Sequence, residues 1–314
     1  MSLIAPSMKV LLDTDIGYGT DADDALALAY LLLRPDCELL GITTVGLHSE
    51  WRAGLAALMC EQAGKPGIPV AAGADNPLFP NVYWRINPVR EKGNDPAPVP
   101  SEYSPNRALD LIKKLVDRYP GEITLITIGQ FTNLAVLLTA YPETAAALKS
   151  VVSMGGRLQY ERNRPETECN VMLDPVAAAV VFERTRVSFT LLPIDAARGK
   201  GLDADGLRLV LNAAGLPALA DACSAWKDTC RKPGLGLADP FTCQAAFEPG
   251  LAATERGKLG IRLYDHEIPG GQPFENGEVT GATRFEEEPG GPHLAVKSIN
   301  ADEAHSRLFE VFEA

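Results

Sequence analysis

Five aspartates fall within the twelve positions from Asp13 to Asp24: Asp13, Asp15, Asp21, Asp23 and Asp24. The apolar run Val10-Leu11-Leu12 precedes them and reads as a short buried strand. Ala25–Leu33 follows, built of strong helix formers. Carboxylates this dense repel one another unless something positive sits among them. At a strand tip facing a helix N-terminus, the fitting guest is a hard divalent cation held by oxygens, and Ca²⁺ is the expected metal. Asp23 and Asp24 alone also suit a simpler role, capping orphan N–H groups and facing the helix dipole. That role does not account for Asp13 and Asp15. An Asp-x-Asp after a strand also opens haloacid-dehalogenase-type phosphatases, in which the first Asp attacks phosphate. Those chains commonly have Thr or Val where this one has Gly17, and they do not continue into D-x-D-D-A-L-A-L.

Three further polar clusters follow strand-like runs. Gly46-Leu47-His48 follows Glu38–Val45, Gly129-Gln130-Phe131-Thr132-Asn133 follows Glu122–Ile128, and Gly155-Gly156 follows Leu148–Met154. Ligands of open α/β sheets sit at the carboxyl ends of the strands, so parallel strands would bring all four clusters to one edge. Thr132-Asn133 reads mainly as a helix cap.

The elements that must position these groups alternate strand and helix. Helices are expected at Glu50–Ala63, Arg107–Arg118, Asn133–Ala140 and Asp174–Arg184, the last with Pro175 in its first turn. Further strands are expected at Ile68–Ala72 and Ser188–Leu192. The pattern predicts an α/β fold, an open, mostly parallel sheet with helices on both faces. One domain is expected over 1–314. It has a lid-like insertion at about 74–105, with seven prolines between Gly73 and Pro105, and a mainly helical segment at about 201–250. RKPGLGLADP (231–240) reads as a loop, 260–299 as short strands rich in Gly and Pro, and Ala301–Phe312 as a closing helix.

The net charge of −12, from 29 basic and 41 acidic residues, disfavours nucleic-acid backbones and anionic membranes as partners. The longest apolar run has nine residues, Ala25–Leu33, where a membrane span needs roughly 20. Six cysteines without a C-x-x-C pair, and no signal-peptide pattern at the start, lead to the expectation of free thiols in a soluble, cytoplasmic protein.

The motif DTDIG…TDADDALAL resembles the N-terminal signature of the inosine–uridine-preferring nucleoside hydrolase family, with Tyr18-Gly19 as an apparent insertion. The resemblance continues in family order through GITTV (41–45), PVAAGADNPL (69–78), IGQFTNLA (128–135) and MGG (154–156). It extends to Glu168-x-Asn170 with Asp174-Pro175, ADP (238–240) and GATR (281–284). It implies a Rossmann-like nucleoside hydrolase fold and hydrolysis of a ribonucleoside to ribose and free base. It further implies that Asp15, Asp24, Asp239 and the Ile128 carbonyl bind Ca²⁺, with ribose hydroxyls completing the shell. Asp23, Glu168 and Asn170 would hold the ribose, with Met154 lining its pocket. Asp15 would also take a proton from a metal-bound water, and Asp13 would support the loop from behind. The implied partner is a small nucleoside, and the expected assembly a homodimer or homotetramer.

Two positions depart from the family pattern. Its His before the last metal Asp is Ala238 here, which donates no proton. Its Gly-Asn or Gly-Asp after TTV is Leu47-His48, so His48 is a candidate ribose contact or proton donor. General-acid help is worth ~10² to 10⁴-fold, so these changes bear on substrate and rate. Trp84, Tyr160 and Trp226 are candidates for stacking on the base. The competing class is a ribose or nucleoside binder that has lost turnover, which Ala238 would favour.

Overall fold

The computed structural model describes residues 7–17, 22–79, 107–159, 167–199, 201–217, 219–221, 223–224, 234–264 and 280–314. The strands are β1 Met8–Thr14, β2 Cys37–Thr44, β3 Val70–Ala72, β4 Ile123–Thr127, β5 Ser150–Met154 and β6 Ser188–Leu192. Beyond these come β7 Leu202–Asp203, β8 Gly234–Leu235, β9 Ala252–Tyr264, β10 Thr280–Glu287 and β11 His293–Ile299. Nine of them form one sheet in the order β10-β9-β11-β6-β5-β4-β1-β2-β3.

From β3 to β11 every neighbouring pair is parallel. Parallel strands are covered on both faces, and Val10, Leu11 and Leu12 of β1 are accordingly fully buried. The chain winds outward from β1 toward β3, then returns to β1 and winds the other way from β4 to β6. That reversal opens a crevice between β1 and β4, the place where open α/β sheets bind ligands. In register, Asp13 stands opposite Thr43 of β2 and Thr127 of β4. The strand ends that bear the four polar clusters are neighbours, in the order β5, β4, β1, β2, as the pattern predicts.

Helix α1, Asp23–Leu33, is buried at every residue from Asp24 to Leu32. A helix apolar all round must be covered all round, and it packs on the sheet beside the helix Ala238–Phe247, which itself lies against β4, β5 and β6. That second helix lies inside the stretch read as a loop plus helical segment. Pro240 is its third residue, within the first turn, where a missing N–H breaks no intrahelical bond. Helix α2, Ser49–Gln62, lies on the same face. Ala108–Arg118, Thr132–Ala140 and Pro175–Arg184 cover the other face.

The expectation of short strands over 260–299 is corrected. β9 begins at Ala252 and runs 13 residues, pairing antiparallel with both β10 and β11. Within β9, Gly257 makes room for its neighbour: a Cβ there would lie 2.2 Å from the Glu286 carbonyl and 2.6 Å from the Phe285 ring. No helix among the described residues is long and apolar enough to cross a membrane.

Candidate active site

β1 ends in Asp13-Thr14, and the chain passes through Asp15 and Ile16 toward the start of α1. The α1 N-terminus presents Asp23 and Asp24 in its first turn, with no side-chain cap. The helix packed beside it presents Asp239 in its first turn. Carboxylate oxygens of Asp23, Asp24 and Asp239 come within 4.8 Å of one another. Asp24 and Asp239 are buried, and Asp23 is half-buried. Two helix N-termini facing this cluster favour its negative charge. Three hard oxygen donors at this spacing fit a hard divalent cation.

Asp24 is further positioned by Thr14, whose hydroxyl donates to Asp24 Oδ1 and accepts from the Ile16 N–H at 3.1 Å. The short side chain after β1 thus ties the strand tip to the helix start. Asp15 is half-buried and outside the group of three carboxylates. It lies against Gly129: a Cβ there would stand 2.8 Å from both Asp15 N and Asp15 Oδ1. This places Asp15 beside the Ile128–Gly129 peptide, with Ile128 N donating to the Asp13 carbonyl at 2.8 Å. The Ile128 carbonyl accepts from Asn170 Nδ2 at 2.7 Å.

Asn170 Nδ2 also reaches Met154, at 3.4 Å to its carbonyl and 3.2 Å to Sδ. Glu168 precedes the short helix Cys169–Leu173 and caps it, accepting from Asn170 N at 2.9 Å and Val171 N at 3.3 Å. Its second oxygen also accepts from Gly156 N at 2.7 Å. Burial raises the Glu168 carboxyl above the usual range, and these N–H bonds pull it back. Glu168, Asn170 and Met154 therefore form one bonded unit with Ile128. A Cβ at Gly156 would lie 2.3 Å from Thr283 Oγ1, so the GATR segment packs directly under this unit.

Asp13 stands behind the site, fully buried. Thr43 Oγ1 donates to its Oδ1 at 2.6 Å and Asn133 Nδ2 at 2.8 Å. Burial pushes its carboxyl up to about 6, against the pull of those two bonds. The capping role expected for Thr132-Asn133 is corrected. Thr132 Oγ1 donates to Asp174 at 2.7 Å, and Asn133 bonds across to β1, to Thr44 and to Ala74. The helix Thr132–Ala140 starts after Phe131 with no side-chain cap. Long-range partners inside the crevice, among them the Ala74 N–H that the Asn133 oxygen accepts, hold these side chains away from the local helix N–H groups, because buried polar groups must be paired.

His48 is exposed and sits just before α2 in a left-handed conformation, φ 64°. Asp75 caps α2 in its place, accepting from Ser49 N at 2.8 Å. Ala238, buried, opens the helix that presents Asp239. Trp84, Tyr160, Trp226, Tyr18-Gly19, Asp21 and the stretch beyond Phe79 in the lid-like insertion lie outside the described residues. Sequence reasoning missed Arg52, buried in α2, which donates to the carbonyls of Leu47, Asp15 and Ile16. Its only signal was a lone cation in an otherwise apolar helical stretch.

The sequence profile of the family described as "Inosine-uridine preferring nucleoside hydrolase" matches residues 10–305. "Uridine nucleosidase 1" of Arabidopsis thaliana is 31% identical over 266 residues, 81% of this chain and 78% of that one. "Inosine-uridine preferring nucleoside hydrolase" of Crithidia fasciculata is 29% identical over 273 residues, 81% of this chain and 84% of that one. Among solved structures, a "Purine-Preferring Ribonucleoside Hydrolase from Gardnerella vaginalis" superposes with a TM-score of 0.76 at 25% identity. It covers 97% of this chain and 98% of that one. A "Plant nucleoside hydrolase" superposes at 0.75 and 22% identity, over 98% of this chain and 100% of that one, a likeness of fold.

Proposed function

The chain belongs to the inosine–uridine preferring nucleoside hydrolase family and is an N-glycosidase, and from that premise we propose that it hydrolyses a ribonucleoside to ribose and free base with the help of Ca²⁺. The observation that supports this most is the meeting of Asp23, Asp24 and Asp239 at the switch point of the sheet, beside the loop of Asp15. Asp15, Asp24 and Asp239 would hold the cation through their carboxylates and Ile128 through its carbonyl. That carbonyl has a second lone pair beyond the one bonded to Asn170. When bound, the cation supplies Lewis-acid polarisation and neutralises the clustered carboxylates.

In this reading Asp15 accepts the proton of the attacking water. Its Oδ1 lies close against Gly129, where a Cβ would stand 2.8 Å away. Water attacks the anomeric carbon as the bond to the base lengthens, and positive charge develops on the sugar. Asp23, Glu168 and Asn170 bind and orient the ribose, with Met154 lining its pocket. The nearby carboxylates favour the developing positive charge. Ala238 offers the departing base no proton, so His48 supplies it, and Trp84, Tyr160 and Trp226 stack on the base. The working form would be a cytoplasmic homodimer or homotetramer, which light scattering on the purified protein reads directly.

The test is release of base from a panel of ribonucleosides, with Ca²⁺ and after chelation, for the wild type and Asp15→Ala. Turnover that needs both metal and Asp15 is expected. Turnover that survives both complete metal removal and Asp15→Ala overturns the mechanism. Ribose binding with no hydrolysis of any riboside, or action on phosphate esters alone, overturns the activity.

A further inference from the structure

Arg52 is 4% exposed, and its helical neighbours Ala53, Leu55 and Ala56 are buried with it. A guanidinium is kept in such a place only if its donors are used well. Here Nε donates to the Leu47 carbonyl at 2.9 Å, and Nη1 to the Ile16 carbonyl at 2.9 Å and to the Asp15 carbonyl. The backbone N–H of the same residue donates to the His48 carbonyl at 3.0 Å. One residue therefore grips two loops. The first follows β1 and contains Asp15; the second follows β2 and contains His48.

Both loops need an external hold. His48 adopts φ 64°, a region that non-glycine residues rarely occupy and that surrounding bonds must enforce. Asp15 lies beyond the last residue of β1, outside the strand's hydrogen-bond ladder. A rigid planar fork bonded to carbonyls of both segments sets their relative position, which a single lysine ammonium on a flexible stem does not reproduce.

We propose that Arg52 is a positioning residue that fixes the backbone of Asp15 relative to that of His48, and through them the geometry of proton removal from water and proton delivery to the base. The proposal rests on the N-glycosidase mechanism above and adds to it a residue that touches neither substrate nor metal. A displacement of about 1 Å at such a site costs on the order of 10²-fold in rate.

The experiment compares Arg52→Lys, Arg52→Met and Arg52→Ala with the wild type, using the ribonucleoside the wild type cleaves best and saturating Ca²⁺. Thermal midpoints monitor folding. Expected is a fall in kcat of ~10- to 100-fold in Arg52→Met, KM staying within about threefold, and a smaller fall in Arg52→Lys. Millimolar guanidinium should restore part of the kcat of Arg52→Ala and leave the wild type unchanged, a response that lost stability alone would not give. Wild-type kcat per folded molecule in both Arg52→Met and Arg52→Lys overturns the proposal. If the Met and Ala variants do not fold, Arg52→Lys decides: wild-type kcat overturns the proposal, and a tenfold loss at an unchanged midpoint supports it. If the wild type cleaves no ribonucleoside, the mechanism above fails, and titration with Ca²⁺ alone decides for Arg52. Weakened binding in the variants then supports its hold on Asp15, and unchanged binding overturns it.

Discussion

Asn133 Nδ2 donates to Asp13 Oδ1 at 2.8 Å, joining residues 120 positions apart behind the candidate metal cluster. The same amide group donates to the Thr44 carbonyl at 3.0 Å, and Asn133 Oδ1 accepts from Ala74 N at 3.0 Å. One side chain thus ties together the ends of β1, β2 and β3. Removing it leaves Asp13 with the Thr43 hydroxyl as side-chain donor and takes the acceptor from the half-buried Ala74 N–H, while the Thr44 carbonyl keeps its bond from Gly73 N at 2.9 Å. Asn133→Ala is expected to destabilise the fold by about 3 kcal/mol, measured by urea denaturation. A loss below about 0.5 kcal/mol would show that water enters the crevice and replaces these bonds.

Asp23 and Asp24 are adjacent and share the cluster with Asp239. If Asp24 is a ligand and Asp23 serves the sugar, Asp24→Ala should weaken Ca²⁺ binding by at least about 100-fold in calorimetric titration. Loss of a group that only supports a ligand costs ~10–100-fold. Asp23→Ala should mainly raise KM, with Ca²⁺ affinity nearly kept. Equal losses of Ca²⁺ affinity in both variants would instead make the three clustered carboxylates the ligand set.

Gly129 has no room for a side chain. A Cβ there would stand 2.7 Å from Val45 Cγ1 and 2.8 Å from Asp15 N and Oδ1, below any normal contact. The backbone of Asp15 must move to admit it. Gly129→Ala is therefore expected to lower kcat by roughly 10²-fold while the protein remains folded by circular dichroism. Wild-type kcat in that variant would mean that Asp15 tolerates displacement, contrary to its role as the proton acceptor.

Asp174 accepts from Ala177 N at 3.0 Å, Leu78 N at 2.8 Å and Thr132 Oγ1 at 2.7 Å. Burial nonetheless holds its carboxyl above the usual range. The folded state then keeps this proton to a higher pH than the unfolded chain. Its contribution to stability is full below about pH 4 and is lost as pH rises through the raised folded value. The thermal midpoint of the wild type minus that of Asp174→Asn should fall as pH rises above about 4. A difference that grows with pH would contradict the direction of the shift.

Legibility differed by kind of feature. The apolar runs of β1, β4, β5 and β6, and the helical stretches between them, were readable because a parallel strand covered on both faces is mostly apolar along its length, broken in β4, β5 and β6 only by small Ser and Thr. The convergence of four polar clusters followed from that pattern, since parallel strands send all their carboxyl ends to one edge. The helix Ala238–Phe247 was obscured because its start carries Pro240 and follows glycines, signals that mark loops except in a first helical turn. The length of β9, which begins at Ala252, was hidden as well, because the Gly- and Pro-rich composition of 260–299 reads as short strands. Gly257 is there because Phe285 and the Glu286 carbonyl approach from the neighbouring strand, a requirement absent from local sequence.

Sequence by itself determined the parallel α/β architecture, the acidic motif after β1 and the family blocks that follow it in order. These depend on local periodicity and on residue types at short spacing. The tertiary structure alone decided that Asp23 joins Asp24 and Asp239 in one carboxylate group while Asp15 stands outside it, that Asn133 bonds Asp13 instead of capping its helix, and that Arg52 grips the loops of Asp15 and His48. Each of those contacts joins polar groups distant in the chain. A buried donor takes whichever acceptor packing brings to it, and that choice is made only when the helices have closed on the sheet.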